Sequence, residues 1–365
     1  MKQGLEETNK ILSSMKENYL LANQNLPVGF KSKHWDVFDG EFARFFEKSD
    51  IWERMLRNPL TLGLNDNFLE ISNQRFSKNK DDLWKQLRRG QISDIIFENR
   101  DRKVIEREIN HLRRIIAFTD LKFVIKNCIT DAGSPVTTKI KIEHEGQSHI
   151  VNYNKHDMGD LYHSWLILQQ IGEFKNYNPI ICEIGGGYGG LASKIKSNVK
   201  GAKIVMLDLP EVNAYQTFYL SRVFDGAIIK GYKDLSEEGM NVFANKFDFL
   251  ILPGWTINQL PSAYVDSYIN VRSMMEMSKD NLEFYFKSIQ TSLKIEGTFS
   301  CFNRYIKPVG NFENRFNLYP FDDDWKILMS QPSALQPHIH QLIVKRLNNN
   351  SGAAFRQELK KMELI

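Results

Sequence analysis

The sequence predicts an α/β protein with a doubly wound sheet in its carboxyl-terminal part and a mainly helical amino-terminal part. Three observations lead to this prediction. Apolar residues recur at spacings of three and four in much of the first 130 residues. From Pro179 onward, short apolar runs alternate with amphipathic stretches, as is typical of parallel strands joined by crossover helices. A glycine-rich segment, "IICEIGGGYGGLA", joins the first of these runs to a helical pattern.

The chain before Pro179 divides into a helical region and a hairpin. "FDGEFARFFEKSDIWERMLRNPL" and "KVIEREINHLRRIIAF" have helical periodicity, so residues 1–135 are predicted to form a helical region that acts as a substrate cap or an oligomerisation surface. In "VTTKIKIEHEGQSHIVNYN", apolar and polar residues alternate around Glu145 and Gly146, which predicts a connecting β-hairpin over residues 136–155. Residues 156–365 form the third and largest predicted unit.

Seven segments of this third unit have the composition of strands. Their sequences, in order, are "IICEI", "KIVMLDL", "GAIIKGY", "KFDFLILPG", "EGTFSCFNRY", "WKILMSQ" and "HIHQLIVKRL". No strand is assigned to the long segment "WTINQLPSAYVDSYINVRS" that follows the fourth strand. Ligands of doubly wound sheets bind at the carboxyl ends of the strands, near a switch in strand order, and the site is therefore expected there.

The composition is that of a globular protein without a dominant charge. The net charge is +4 and basic residues are interleaved with acidic ones, so no nucleic-acid partner is predicted. No run of about 18 apolar residues predicts a transmembrane helix. The amino terminus lacks the apolar core of a secretory signal, and the three cysteines have neither metal-site nor disulfide spacing. These features predict a cytoplasmic protein with reduced thiols.

The glycine-rich segment is the strongest functional signal. Gly185, Gly187 and Gly189 stand at every second position, and Glu183 precedes the first of them by two residues. Glycine tolerates positive φ and lets the backbone approach a ligand closely. Asp208 ends the next predicted strand, where a carboxylate can accept hydrogen bonds from both hydroxyls of a ribose. The segment is therefore predicted to bind a nucleoside-containing cofactor.

Two classes of cofactor fit these residues. With Gly190, the glycines also satisfy the G-x-G-x-x-G pattern of nicotinamide dinucleotide enzymes, and an acid about 20 residues later suits that class as well. Glu183 favours a cofactor other than a dinucleotide, because the first strand of a dinucleotide-binding fold usually has an apolar residue at this position. A buried carboxylate needs a partner, and a cationic cofactor offers one.

The pattern E-x-G-x-G-x-G, followed by "VMLDLP", resembles motif I of class I S-adenosylmethionine-dependent methyltransferases. The resemblance implies a Rossmann-like, seven-stranded sheet in residues 156–365, with S-adenosyl-L-methionine as the cofactor. In that family the glycine loop passes under the methionine half of the cofactor, and the acid that ends the second strand binds the ribose. The implied cofactor-binding residues are Glu183, Gly185, Gly187, Tyr188, Gly189, Asp208 and Leu209.

A second resemblance concerns the acceptor. The segments "EIGGGYGGLA", "LDLPEV", "MMEMSKDNLEFYF", "GTFSCFNRYIKP" and "YPFDDDWKILMSQPSALQPHIHQLIVKR" together resemble a bacterial family of sugar O-methyltransferases over about residues 150–346. This resemblance implies a glycan or sugar-conjugate acceptor and a role in surface polysaccharide or glycan biosynthesis. It does not extend to the helical amino-terminal region.

Methyl transfer to a sugar hydroxyl needs a group that removes the hydroxyl proton. Glu276, in "MMEM", is one candidate base, because its methionine neighbours are expected to raise the pKa of the carboxyl by desolvation. His340, in "PHIH", is the other, because histidine is the usual base near neutral pH. Alternation along the last strand is expected to place His338 and His340 on one face.

Five further residues are predicted to contact the acceptor. Asn303 and Arg304 end the fifth predicted strand and could bind sugar hydroxyls or a phosphate. Trp255 could stack on a sugar face. His156 and His163 lie ahead of the first strand of the sheet, where Asp157 is expected either to join them or to cap a helix.

Two expectations concern other ligands and other functions. No metal is predicted, because Asp322, Asp323 and Asp324 are consecutive and cannot all face one ion. A non-catalytic module that docks to a polysaccharide-assembly partner is the alternative to an enzyme. In either case the amino-terminal helices are the candidate surface for homo-oligomerisation.

Overall fold

An eight-stranded mixed sheet dominates the carboxyl-terminal part of the protein in the computed structural model. The structure describes residues 2–31, 46, 52, 102–128, 132–133, 137–171, 178–309, 312–348 and 352–362. Most of the predicted helical stretch "FDGEFARFFEKSDIWERMLRNPL" lies outside these residues. The elements named below are those of the described part of the chain.

The chain separates into two compact units. The first comprises residues 1–12 and 44–166, and the second comprises residues 13–43 and 167–365. This division differs from the three predicted segments, whose boundaries and roles stay predictions.

Helices and one hairpin make up the described chain before residue 172. The predicted hairpin is present, since β1 pairs antiparallel with β2 along its whole length and Glu145 and Gly146 form the turn with φ of 50° and 74°. The elements are α1 (Lys2–Gln24), α2 (Arg102–Phe118), α3 (Leu121–Asn127), β1 (Thr138–His144), β2 (Gln147–Tyr153) and α4 (Lys155–Ile171).

The sheet and its helices occupy residues 180–361. The strands of the sheet are β3 (Ile180–Ile184), β4 (Lys203–Asp208), β5 (Ile229–Lys230), β6 (Phe249–Pro253), β7 (Val265–Val271), β8 (Leu293–Arg304), β11 (Trp325–Pro332) and β12 (Ile339–Arg346). A separate hairpin consists of β9 (Ile306–Val309) and β10 (Phe312–Arg315). The helices are α5 (Gly190–Asn198), α6 (Pro210–Val223), α7 (Tyr232–Glu238), α8 (Asn241–Ala244), α9 (Lys279–Ser292) and α10 (Gly352–Lys361), with short 3₁₀ turns at Gly254–Gln259, Met274–Glu276 and Phe316–Leu318.

The predicted Rossmann-like α/β sheet is confirmed, but it has eight strands and not seven. The strand order is β11-β12-β8-β7-β3-β4-β6-β5. The six strands from β8 to β5 run parallel, and β12 and β11 extend the sheet with antiparallel pairs. The predicted third strand, "GAIIKGY", contributes only Ile229 and Lys230 at the edge of the sheet.

The additional strand is β7, which lies in the segment to which no strand was assigned. Its first six residues are all buried, including three polar ones that interrupt the apolar run. Each polar residue has partners inside the sheet: Asp266 accepts from the backbone N–H of Ile180 (2.8 Å), and Ser267 lies 2.9 Å from the Thr298 hydroxyl. Because a strand buried on both faces need not alternate, its sequence pattern was ambiguous.

The three consecutive acids of "FDDDW" pair with arginines. Asp322 and Asp324 lie 2.5 and 3.9 Å from the guanidinium of Arg346 on β12, and Asp323 lies 2.6 Å from Arg356 on α10. These ion pairs connect α10 to the edge of the sheet. Within the described ranges, no group of three or more histidine, cysteine or acidic side chains is arranged to hold a metal ion. The same ranges contain no helix with the length and apolar character needed to cross a membrane.

Candidate functional site

The candidate site lies where the strand order switches direction. β3 has β4 on one side and β7 on the other, so the connections from β3 and from β7 leave the sheet on different sides. The loops that follow β3, β4 and β7 meet at the carboxyl ends of these strands. This is the position at which doubly wound sheets bind their ligands.

The glycine loop crosses directly over the end of β3. Gly185, Gly187 and Gly189 have φ of 70°, 56° and 98°, values that residues with a Cβ seldom adopt. A Cβ on Gly186 would lie 2.7 Å from the Cδ atom of Glu183, which is 3% exposed. The loop backbone therefore lies against the predicted acid, and α5 begins immediately after it.

Tyr188 anchors this loop to a helix. Its ring packs edge-on against Tyr219 of α6, with centroids 4.8 Å apart, and the side chain is buried. The structure thus gives the ring of Tyr188 a packing role that the sequence did not predict. Any contact of this residue with a cofactor stays a prediction.

Asp208 ends β4 beside the glycine loop. Its carboxylate accepts hydrogen bonds from the backbone N–H groups of Leu209 and Gly187 and from the side-chain amide of Gln216. Burial, with a smaller contribution from the nearby Glu211, nevertheless raises the pKa of Asp208 to about 7. The bond from Gly187 joins the two predicted elements of the cofactor site, the loop and the acid.

The affinity of this site for S-adenosylhomocysteine is expected to depend on pH. A ribose needs the ionised carboxylate as an acceptor, so the affinity should fall about tenfold per pH unit from pH 7 to pH 5, below the pKa of Asp208. Asp208→Asn should bind about tenfold to a hundredfold more weakly at pH 8 and should show no such slope. Calorimetric titration at several pH values tests this expectation, with the exposed Asp280→Asn as control. A wild-type affinity that is constant between pH 5 and 7 would contradict it.

Two buried asparagines connect the carboxyl ends of three neighbouring strands. Asn270 of β7 donates to the carbonyl oxygen of Ile184 (2.9 Å) and to the Ser273 hydroxyl. Asn303 of β8 donates to the Asn270 side-chain oxygen (2.8 Å) and accepts from the backbone N–H of Met275 (3.0 Å). This asparagine network was missed because β7 was missed.

The network changes the interpretation of two predicted positions. Asn303 is fully buried and its amide is occupied within the network, an arrangement that does not favour its predicted contact with the acceptor. Ser273 donates in turn to the Ile184 carbonyl (3.1 Å). A Cβ on Gly185 would overlap the Ser273 side chain, which explains why this position of the loop needs glycine for reasons beyond φ.

Glu276 lies in the 3₁₀ turn after β7, at the carboxyl edge of the sheet. Its carboxylate pairs with Lys307 of β9 at 2.5 Å, and both side chains are partly exposed. Asn314 of β10 donates to the carbonyl oxygens of Met274 (3.1 Å) and Met277 (3.2 Å), which attaches the hairpin to the turn. The sequence predicted that methionines surround the Glu276 carboxylate. Its partner is instead Lys307, and Met274 packs in the hydrophobic core.

The predicted base His340 lies on the opposite face of the sheet from Glu183. Register places Glu183 beside Ile269 and Ile269 beside Ser300. Asn303 is three residues beyond Ser300, an odd number, so its side chain points to the other face. His340 pairs directly with Asn303 and shares that face.

Both ring nitrogens of His340 are occupied. The Ser330 hydroxyl donates to Glu358 (2.7 Å) and therefore accepts from Nε2–H of His340 (3.0 Å), which leaves Nδ1 to accept from the Tyr305 hydroxyl (3.0 Å). Burial lowers the pKa of His340 to about 4, although Glu358 opposes this effect. The ring is thus neutral and hydrogen-bonded at both nitrogens, an arrangement that does not favour its predicted role as the base. His338 is exposed just before β12.

Trp255 follows β6, which lies beside β4 and not beside β8. Register pairs Pro253 with Asp208, so Trp255 is on the Asp208 side of the site. It is 9% exposed and packs edge-on against Phe30 and Tyr232, with centroids 5.4 and 6.3 Å away. These contacts place it in an aromatic cluster on the Asp208 side of the site, and its contact with the acceptor stays a prediction.

The amino-terminal segment that carries Phe30 is attached to the sheet unit by several polar contacts. Lys31 and Glu211, near the start of α6, form an ion pair of 2.8 Å whose side chains are almost completely buried. Asn281 of α9 donates to the carbonyl oxygen of Phe30 (3.1 Å), and Asn18 of α1 accepts from the backbone N–H of Lys233 (2.7 Å). Residues 18–31 therefore cover the Asp208 side of the site.

Lys31→Met is expected to lower the free energy of unfolding by about 3–5 kcal/mol, because it leaves the buried Glu211 carboxylate without its cation. Adding Glu211→Gln should recover part of the loss. The control is Lys279→Met, which breaks an exposed pair with Glu283 and should cost less than about 1 kcal/mol. Urea unfolding of the variants tests this, and equal effects for Lys31 and Lys279 would contradict it.

His156 and His163 lie on α4 in the first compact unit. They are seven residues apart, about two helical turns, and so lie on one side of the helix. Asn154 accepts from the backbone N–H groups of His156 (3.0 Å) and Asp157 (3.1 Å), so Asn154 and not Asp157 caps the helix. Contact of these histidines with a cofactor or an acceptor stays a prediction.

No protein-family model matches the sequence, and no curated protein matches it either. The solved structures to which the chain is similar include the mitomycin 7-O-methyltransferase MmcR, at 16% identity over 52% of this chain and 57% of that chain, with a TM-score of 0.33. Geranyl diphosphate methyltransferase in complex with S-adenosylmethionine is 12% identical over 53% of this chain and 88% of that chain, with a TM-score of 0.37.

A third similar structure is the pyocyanin biosynthetic protein PhzM, at 14% identity over 52% of this chain and 58% of that chain, with a TM-score of 0.32. The match therefore spans less than two thirds of MmcR and of PhzM. The resemblance of the sequence to sugar O-methyltransferases stays a prediction.

Proposed function

We propose that this chain is an O-methyltransferase that uses S-adenosyl-L-methionine to methylate a sugar hydroxyl in surface polysaccharide or glycan biosynthesis. The observation that supports it best is the junction between the glycine loop and the acid of β4. The Gly187 N–H donates to Asp208, and the loop passes over the buried Glu183 at the switch point of the sheet. A glycine-rich loop and a carboxylate positioned to bind a ribose suit a nucleoside cofactor.

Different residues of the chain would bind the cofactor and remove the proton of the acceptor. When bound, the cofactor supplies a methyl group that is already activated by its positive sulfur. Asp208 and the glycine loop hold the nucleoside and the methionine half, and the cluster around Trp255 encloses the Asp208 side. Glu276, at the ends of β7 and β8, takes the proton of the acceptor hydroxyl, while Lys307 holds its carboxylate in position.

Two alternatives remain distinct from this proposal. A nicotinamide dinucleotide enzyme would use the same glycines, but it does not account for the buried Glu183 beneath the loop. A non-catalytic docking module would not need the loop, the acid and the paired carboxylate at one edge. Self-association through the amino-terminal helices is compatible with either function.

Calorimetric titration with S-adenosylhomocysteine and with NADH separates the cofactor classes. Binding of the first and not of the second is expected, and the reverse would overturn the proposal. Mass spectrometry of a glycan panel after incubation with labelled S-adenosylmethionine then tests the activity. Cofactor binding without methylation of any glycan would favour a different acceptor or the docking module.

A further inference from the structure

We infer that the acceptor carries an oxyanion and that Arg304, together with Arg272, binds it. This inference rests on the proposed function, because it names the chemical class of the molecule to be methylated. It concerns the part of the crevice at the ends of β7 and β8, away from the Asp208 side. The shared chemistry is a phosphate of a nucleotide- or lipid-linked sugar or the carboxylate of an acidic sugar.

Arg304 is placed on the face of the sheet that carries Glu183. It is four residues beyond Ser300, an even number, and Ser300 lies beside Ile269 and Glu183 in register. As the last residue of β8, Arg304 lies at the carboxyl edge, where the loops of the switch point meet. The side chains of His340 and Asn303 lie on the opposite face of the sheet.

The guanidinium of Arg304 has no carboxylate partner within the part of the chain that the structure describes. Its Nε–H group is buried and has no hydrogen-bond acceptor there, whereas the nearby Lys307 is paired with Glu276. A buried N–H without an acceptor costs free energy unless a ligand supplies one. The planar guanidinium matches carboxylate and phosphate with two parallel hydrogen bonds.

Arg272 follows β7 directly and has a left-handed backbone, with φ of 68°. This conformation is unfavourable for a residue with a Cβ, and such strain is concentrated at functional sites. The strain is held in place because the Arg272 N–H donates to the Phe302 carbonyl (2.8 Å) and because the next residue, Ser273, belongs to the asparagine network. The network thus sets the backbone of Arg272 beside the end of β8.

The local charge balance also favours an anion. Residues 270–277 and 303–309 contain Arg272, Arg304 and Lys307 but only one acid, Glu276. A guanidinium stays protonated and cannot serve as the base, so the chemistry available to Arg304 at this edge of the sheet is the binding of an anion. An anionic acceptor would offset a positive charge that the cationic cofactor increases.

Titration of three probes into the protein saturated with S-adenosylhomocysteine tests this inference. The probes are pyrophosphate, glucuronate and neutral glucose. At least one anion should bind the wild type, and Arg304→Gln should weaken that binding about tenfold to a hundredfold. Arg304→Lys, which keeps the charge but loses the planar fork, should lie between the two. The control Arg315→Gln, which removes an exposed cation paired with Glu313 on the hairpin, should bind like the wild type.

The outcomes distinguish the possible sources of the anion, and they distinguish a failure of this inference from a failure of the proposed function. Preference for pyrophosphate indicates a phosphate-linked sugar, and preference for glucuronate indicates an acidic sugar. If neither anion binds the wild type, or if both bind Arg304→Gln as tightly, the inference is overturned. Binding of S-adenosylhomocysteine in the same samples shows whether only this inference has failed or the proposed function as well.

Discussion

Gly185→Ala is expected to abolish binding of S-adenosylhomocysteine. An added Cβ would overlap the Oγ and Cβ atoms of Ser273. Ser273 cannot move aside easily, because its hydroxyl is bound to Asn270 and to the Ile184 carbonyl. The loop would therefore have to shift away from the end of β3, where the cofactor is proposed to bind. Calorimetric titration measures the loss of affinity, and urea unfolding measures the accompanying loss of stability.

Gly226→Ala is the matched control for this variant. Gly226 has φ of 71°, almost the same as the 70° of Gly185, but an added Cβ there meets no atom within 4 Å. It should lose about 1–2 kcal/mol of stability from the backbone conformation alone and should bind S-adenosylhomocysteine normally. If Gly185→Ala behaves like Gly226→Ala, the contact between the loop and the asparagine network does not support the cofactor site.

Glu276→Gln is expected to lower the turnover of methyl transfer by about 10²–10⁴-fold, because it removes the proposed base and keeps the shape of the side chain. Affinity for S-adenosylhomocysteine should be nearly unchanged, since the proposed base does not hold the cofactor. Radiolabelled methyl transfer and calorimetric titration give the two quantities separately. Lys307→Met should also reduce turnover, because the carboxylate would lose the partner that positions it.

The control is Glu283→Gln on α9, which removes an exposed carboxylate paired with Lys279 and should leave turnover unchanged. Near-normal turnover of Glu276→Gln would show that the base lies elsewhere. His156 and His163 would then be the next residues to replace, since His340 is buried with both nitrogens occupied.

Short-range patterns were the parts of the chain that could be interpreted without a structure. The alternation of strands and helices after Pro179 predicted the sheet, and the spacing of Gly185, Gly187 and Gly189 predicted a loop with positive φ. The end of the second strand at Asp208 was equally local. Each of these features depends on residues that are close together in the sequence, so it can be predicted from the amino-acid sequence alone.

Long-range pairing decided which predicted residues could act at the site. β7 could not be identified from its sequence because Asp266, Ser267 and Asn270 interrupt its apolar run, and their partners lie on other strands. Likewise, only the register of β12 against β8 shows that His340 faces away from Glu183.

The sequence by itself determined the α/β class, the glycine loop and the acid that ends β4, since these are set by local backbone preference and periodicity. Only the tertiary structure decided that the sheet has eight strands, that Asn303 and His340 are buried, and that Lys31 meets Glu211 from 180 residues away. The physical reason is that a buried polar group must find a partner, and that partner can come from any distance along the chain. Its identity is therefore known only when the fold has brought the two groups together.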